Sequence, residues 1–497
     1  MTHGSAPSSA AAPPADADYS VLRWLVAATF VVILNETIII NAVPRLQEQF
    51  GVSERAAGWL TTAFMLTMAV VIPITGWFLQ RVTTRQAFAI AMTVFAAGTL
   101  IAAVAPAFWV LLGARIIQAS GTAVMMPLLM TTLMNVVPEH DRGRVMGNVT
   151  MAISVAPALG PAVSGVILQS LSWRWIFGLV LPLVVVMAAA GMRKLKNVGE
   201  PSAGSVDAFS VAVSALGFGT VVYGLSLIGA TGQPVSPWVL IPAGVAILGV
   251  FVWRQLVLQR SDRPLLDLRA FTHRNFTLSL VLMSVAFMAF LSVLFLLPQY
   301  FQNARHLSTL QTGLLLIPGG LAMGLLGPRV GKVYDKFGGR VLVIPGAVGI
   351  TASLVLFTQI GLTTPYWVIL LMHVLMMVSL ALVFTPVFTL GLGALPQHLY
   401  SHGSSLLGTL QQVAGAAGAA VSVAVLSSRA HALAASGASP ESAFAGGMHR
   451  AFIVGGGLSL IVVAIALFLP GKVGSPSVGH EAPAPDADEL GEEPALV

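Results

Sequence analysis

Long apolar runs separated by short polar breaks set the pattern of this chain. They cover residues 22–44, 57–80, 86–104, 108–137, 146–170, 174–192, 208–230, 236–259, 275–300, 309–331, 340–360, 366–395, 402–428 and 449–470, fourteen runs in all. Each is close to the roughly 20 residues that a helix needs to cross about 30 Å of hydrocarbon. A membrane barrel would instead show short segments of alternating polarity. The pattern therefore predicts an all-α polytopic membrane protein. Two breaks, 193–207 and 260–274, are polar and basic. They set spans 7 and 8 apart from a block of six spans on either side. The expected organisation is a disordered tail at 1–20, a six-helix bundle at 21–192, a linker with two inserted helices at 193–274, a second bundle at 275–470 and a disordered acidic tail at 471–497. The first 20 residues lack the basic and short apolar regions of a signal peptide, so no cleavage is expected.

Composition agrees. Only 9% of the 497 residues are Asp, Glu, Lys or Arg and 56% are hydrophobic, whereas a soluble domain carries about 25% charged residues. Mean hydropathy is +0.86. The net charge of +6 is read as loop Lys and Arg facing the cytoplasm rather than as a nucleic-acid surface. With the N-terminus inside, 18 Lys and Arg side chains fall at the cytoplasmic side and six outside, while Arg115 lies within a span. An even number of spans then places both termini in the cytoplasm. Six of the 19 acids follow His480. The chain has no Cys, which excludes disulfides and thiol chemistry.

Several short strings carry chemistry. After span 10 the chain reads Gly331-Lys-Val-Tyr-Asp335-Lys336-Phe-Gly338-Gly-Arg340. Glycines allow a tight turn and close helix approach, and Asp335 is placed to face the positive N-terminus of a neighbouring helix. The string resembles the G-x-x-x-D-[RK]-x-G-x-[RK] loop signature of the major facilitator superfamily. After span 2, 255 residues earlier, Gly76-Trp-Phe-Leu-Gln80-Arg81-Val-Thr-Thr84-Arg85 keeps the frame but has Gln80 for the acid and Thr84 for the second Gly. In span 4, Arg115-Ile-Ile-Gln118-Ala119-Ser-Gly121 is similar to R-x-x-Q-G-x-G. Span 5 carries Pro157-Ala-Leu-Gly160-Pro161-Ala-Val-Ser164-Gly165, similar to the antiporter string G-P-x-x-G-G. There, small residues suit tight packing and prolines free carbonyls and kink the helix. Span 1 reads Leu34-Asn35-Glu36-Thr37-Ile-Ile-Ile-Asn41-Ala-Val-Pro44, similar to the L-D-x-T-I-V-N-V-A-L-P string of fourteen-span drug/proton antiporters. Here Asn35 stands for the Asp, and the acid comes one residue later, about 100° around the helix. Trp173-Arg174-Trp175-Ile-Phe177 and Leu297-Pro298-Gln299-Tyr300-Phe301-Gln302-Asn303 also match that family.

The resemblance covers residues 20–470 and implies a major facilitator fold of 6 + 2 + 6 helices with two pseudo-symmetric bundles. It implies an exporter of amphipathic drugs driven by proton inflow through alternating access. Small amphipathic molecules, protons and the lipid bilayer are the expected partners, with no nucleic acid and a monomeric chain. The expected location is a bacterial-type cytoplasmic membrane. A dedicated exporter of one metabolite, lipid or self-made antibiotic would show the same strings. A non-transporting sensor and a proton-coupled importer remain as further alternatives. No Walker-type phosphate loop, metal cluster or nucleophilic Cys points to an enzyme or a cofactor, so a proton gradient is the expected energy source.

Charge scarcity selects the candidate site. Glu36 is the one acid placed within a span, and an acid that loads and releases protons near neutral pH needs surroundings that oppose its charge. Glu36 and Arg115 each lie about 12 Å from the same membrane face, at about 1.5 Å per residue. The family fold makes spans 1 and 4 neighbours, so the two are expected to pair. His373, in the span-12 counterpart of span 4, is the one His well inside a predicted span and a second candidate for protonation. Asn35, Asn41, Phe64, Met68, Gln118, Met125, Met126, Phe287, Phe290, Gln411 and Gln412 are expected to line an apolar, adaptable cavity. Gly76, Arg81, Arg85, Gly121, Pro157, Gly160, Pro161, Gly165, Gly331, Asp335, Lys336, Gly338 and Arg340 are expected to serve conformational change.

Overall fold

A computed structural model describes residues 20–198, 206–229, 235–261 and 263–471. The two predicted tails fall almost wholly outside the described residues. Among the described residues, fourteen helices are long and apolar enough to cross a membrane. Spans 1 to 6 are Ser20–Ile38, Glu54–Arg81, Thr84–Ala103, Phe108–Val136, Arg142–Ser170 and Arg174–Lys194. Spans 7 and 8 are Ala208–Ser226 and Pro237–Gln259. Spans 9 to 14 are Arg274–Gln299, Thr309–Phe337, Arg340–Phe357, Tyr366–Gly393, Tyr400–Ala435 and Pro440–Phe468.

Hydropathy located every spanning helix but not every end. Polar caps continue several helices beyond their apolar stretch. Ser53 accepts from the amide of Ala56, and Thr83–Gln86 and Ser308–Gln311 form reciprocal capping boxes. Both signature strings begin inside helices rather than in loops: Gly76–Arg81 lies in span 2, and Gly331 lies in span 10, which continues to Phe337. Of the two turn glycines read from that string, only Gly338, at φ 83°, bends the chain. Span 1 is interrupted within its predicted extent. It stops at Ile38, tightens into a 3₁₀ turn over Ile39–Ala42, and restarts as a separate helix, Val43–Phe50, with Pro44 in its first turn.

The two halves repeat each other's packing. Within the first, span 1 packs on 4, 5 and 6, span 4 on 2 and 3, and span 3 on 6; each of these pairs recurs eight spans later. The contacts between halves obey the same relation. Span 5 meets span 10 as span 13 meets span 2, and span 4 meets span 13 as span 12 meets span 5. Spans 7 and 8 pack on each other, and span 7 lies against both span 2 and span 13. Arg254 of span 8 is held by Asp207, just before span 7, at 3.0 Å. Span 8 turns Trp238, Val245, Trp253 and Leu256 outward, as a lipid-facing helix does.

Arg81, Arg142, Arg144, Lys194, Lys336 and Arg340 mark one end of the bundle, called the basic end below. Hydrogen bonds between the halves cluster there. Thr75 and Thr131 pair with Ser405 and Ser404 at 2.8 and 2.9 Å. Gln397 donates to Asn135 at 3.1 Å, and Arg142 donates to the Tyr400 hydroxyl at 3.4 Å.

Candidate functional site

Span 4 is the most enclosed helix, with 72% of its apolar window buried, and it carries Arg115 into the first bundle with no exposure. A buried guanidinium is costly unless its donors are met. Gln118 of the same helix and groups on spans 1 and 2 meet part of them. Arg115 Nη1 donates to Gln118 Oε1 at 3.0 Å and to Asn35 Oδ1 at 3.5 Å, and Nε donates to the carbonyl of Leu60 at 3.5 Å. Gln118 is fixed in turn by donating to Thr99 Oγ1 at 2.9 Å, and Thr99 donates to the carbonyl of Phe95 at 2.7 Å. The ring of Phe64 lies 4.1 Å from the guanidinium carbon, a cation–π contact. Phe64 and Met68 continue into a small cluster with Ile72, Ala119 and Ala123.

Two donors stay unmet: Arg115 Nη2 and Asn35 Nδ2 are buried without a partner. Beside them, half-buried Glu36 makes no hydrogen bond and no ion pair among the described residues. Arg115 is the one charge that acts on it. The expected Glu36–Arg115 pair is thus an electrostatic neighbourhood rather than a contact. Arg115 is held by Asn35 and Gln118, because Asn35 occupies the helix face that the slipped acid has left. Helix winding changes three residues beyond Glu36, where the 3₁₀ turn begins at Ile39, and such a change commonly marks a hinge. Thr37 donates back to the carbonyl of Leu34 at 3.1 Å and fills the space over Gly160. Asn41 donates to Ser164 at 2.8 Å. It ties the turn to the span-5 string instead of lining a cavity.

Other candidates scatter. Phe287 and Phe290 form an aromatic triangle with Phe384, with ring centroids 5.6 to 6.1 Å apart. Gln411, Gln412 and Met126 are half-buried, whereas Met125 packs into the core. His373 lies in span 12, which packs in the second half as span 4 does in the first, yet its surroundings differ from those of Arg115. Phe64 beside Arg115 corresponds, 255 residues on, to Gly319, over which His373 packs. Apolar Leu297, Phe301, Leu315, Tyr366 and Ile369 enclose it. Nothing links His373 to Glu36 among the described residues.

The strings on spans 5 and 10 meet at one interface between the halves. Asp335 accepts from the amides of Gly143 and Arg144, at 2.8 and 2.7 Å, in the first turn of span 5. Gly143 faces Gly331, Gly147 faces Gly327, Ala158 faces Gly320 and Leu310 reaches Gly165, so spans 5 and 10 meet nearly backbone to backbone. Span 5 runs unbroken through Pro157 and Pro161; the side chain of Pro161 lies outside the described residues. Gly121 packs against span 3, where a Cβ would come within 2.5 Å of the Ala91 carbonyl. Lys336 and Arg340 are exposed, Arg81 stacks on Trp77 at 5.6 Å, and the Arg85 amide donates to Asn197. Asp335→Asn should weaken this latch by about 1–2 kcal/mol, the difference between charge-assisted and neutral hydrogen bonds. A slower maximal rate of efflux from loaded cells is the expected result.

Sequence reasoning passed over Thr99, which carries no motif, and His402. The apolar run had placed His402 at a boundary, but span 13 begins earlier and holds it buried at 3% exposure. His431 and His449 also fall inside helices, though exposed, so His373 is not the one helical His. The polar run Tyr400-Ser-His402-Gly-Ser-Ser entering an apolar span was the available signal.

A sequence profile of the Major Facilitator Superfamily matches residues 25–419. The chain is 38% identical to Lincomycin resistance protein LmrB of Listeria monocytogenes, over 90% of this chain and 96% of that protein. It is 30% identical to Multidrug resistance protein B homolog of Mycobacterium tuberculosis, over 78% and 72% of the two chains. Among solved structures, the human organic anion transporter MFSD10 superposes with a TM-score of 0.66 at 16% identity, covering 92% of this chain and 100% of that one. The proton:xylose symporter XylE gives 0.63 at 16% identity, over 91% and 96%. Helix count, repeated packing and these matches agree: the chain is a multi-pass membrane protein and belongs to the major facilitator superfamily, a family of transporters rather than enzymes.

Proposed function

We propose that the protein exports amphipathic drugs or toxic small molecules, in exchange for protons, across a bacterial-type cytoplasmic membrane. The observation that carries this reading is Glu36, a half-buried acid in the last turn of span 1 with no hydrogen bond among the described residues and with Arg115 as the charge acting on it. Such a group can gain or lose a proton without dismantling a network. Deprotonated, Glu36 offers an anion to a cationic drug; protonated, it releases the drug, while Arg115 remains tethered through Gln118. The basic end is taken as cytoplasmic, with both termini on that side. Closure of the seam there then corresponds to the outward-facing form of an alternating-access cycle. The names of the resistance relatives support drug export, and the lincomycin relative favours a narrow substrate range as the second reading. The chain works as a monomer, with the proton gradient as its energy source and no cofactor.

Everted vesicles provide the test. Acidifying the lumen should drive uptake of a fluorescent amphipathic cation, and a protonophore should stop it. Binding of such compounds without gradient-driven uptake would refute export by antiport. A resistance panel in a pump-deficient host separates a broad pump from a dedicated one.

A further inference from the structure

His402 is buried, titratable and unused by the mechanism above. Its Nδ1 has no hydrogen-bond partner. Across the seam stands Gly76 of span 2, where a Cβ would come within 2.9 Å of that nitrogen. The pseudo-symmetric position, 255 residues on, is Gly331, which meets Gly143. One seam is therefore glycine against glycine, latched by the carboxylate of Asp335. The other is glycine against imidazole, with Gln80 in place of the acid. The Gln80 amide donates to the carbonyl of His398 at 3.0 Å, and Thr75 pairs with Ser405. This second seam is thus joined by neutral groups.

The groups facing His402 are Asp267 and Arg269 from the segment after span 8, Arg81 from span 2, and His398 from the turn before span 13. Spans 4, 7 and 9 bring no further charge to bear on it among the described residues. Asp267 is already committed, accepting from Arg269 at 2.7 Å and from the Gln259 amide at 3.0 Å. The seam therefore holds two guanidinium groups and one occupied carboxylate. A neutral imidazole fits there. An imidazolium would be a poorly compensated buried cation unless the seam parts and admits water.

We propose that His402 is a second proton-binding site of the transporter, separate from Glu36, which takes its proton from the basic end and so favours opening of the seam between spans 2 and 13. Asp267 links this site to the inserted pair. Gln259 of span 8 binds Asp267, and Gln255 accepts from the amides of Leu265 and Leu266 at 2.8 and 3.2 Å while donating to Ser210 of span 7 at 2.9 Å. The inserted helices thus reach Asp267 through hydrogen bonds, and Asp267 acts on His402 through its charge.

Because the chain contains no Cys, Ser401→Cys supplies a single reporter in the cleft at this seam. The full chain in everted vesicles is labelled with a membrane-impermeant maleimide. Each rate is divided by that of the same protein unfolded at the same pH, which removes the ionisation of the thiol itself. Normalised labelling is expected to rise at least about five-fold between about pH 8 and about pH 6, and to do so in the Glu36→Gln background as well. His402→Gln and His402→Asn should flatten the rise. Asp267→Asn, which keeps the imidazole but removes its anion, should move the rise to lower pH. A rise that survives both His402 variants, or its absence from the native chain, overturns the proposal whatever Glu36 does.

Discussion

Glu36→Gln is expected to abolish proton-driven accumulation of drug in everted vesicles while leaving the protein folded and its downhill transport intact. The expectation rests on what Glu36 lacks. It makes no hydrogen bond among the described residues, so an isosteric amide removes a proton carrier without orphaning a partner. Arg115→Ala should behave differently. It strips Gln118 and the Leu60 carbonyl of a donor, and each orphaned buried group costs about 1–3 kcal/mol. That variant should lose expression level and thermal stability together with transport. Uphill accumulation by Glu36→Gln at the native rate would show that coupling resides elsewhere.

The second large effect is expected at Gly327. A Cβ there would sit 2.5 Å from the carbonyl oxygen of Gly147 and 3.3 Å from the amide of Met151. The obstacle is backbone on a helix that is itself packed, so no side chain can swing aside. Gly327→Leu must separate spans 5 and 10, and overpacking of this kind costs about 1–3 kcal/mol or more. Because those helices join the two halves, the loss should appear as transport reduced at least about ten-fold, the equivalent of 1.4 kcal/mol, at matched expression. By contrast, Gly113→Leu on span 4, where a Cβ would meet nothing within 4 Å, should be tolerated. Equal transport by the two variants would mean that close approach of spans 5 and 10 is not needed.

Hydropathy made the fourteen spans legible because lipid requires unbroken apolar length. It could not show where helices end, since capping residues such as Ser53, Thr83 and Ser308 lie beyond the apolar stretch and act through hydrogen bonds. Asp335 was readable as a partner for a helix N-terminus because its chemistry is local: an acid at a helix end seeks amides. Which helix, and that Gly143 and Arg144 supply the amides, depends on residues about 190 positions away. The Glu36–Arg115 neighbourhood was reachable by counting residues from the membrane face, a measure of depth. The one-residue slip of the acid, about 100° around the helix, was legible as well, and it leaves Asn35 rather than Glu36 on the guanidinium. Side-chain type alone cannot separate Met125, packed in the core, from half-buried Met126 on the next residue.

The eight-span repetition of contacts makes two seams equivalent by topology, but they are built from unlike materials. Spans 5 and 10 are pressed together along almost their whole length by glycines, while spans 2 and 13 meet through side chains and have span 7 laid across them. Movement of two bodies joined in this way is expected to resemble the covers of a book, with spans 5 and 10 as the spine and spans 2 and 13 as the fore-edge. Most of the travel is then expected at the edge that span 7 straps.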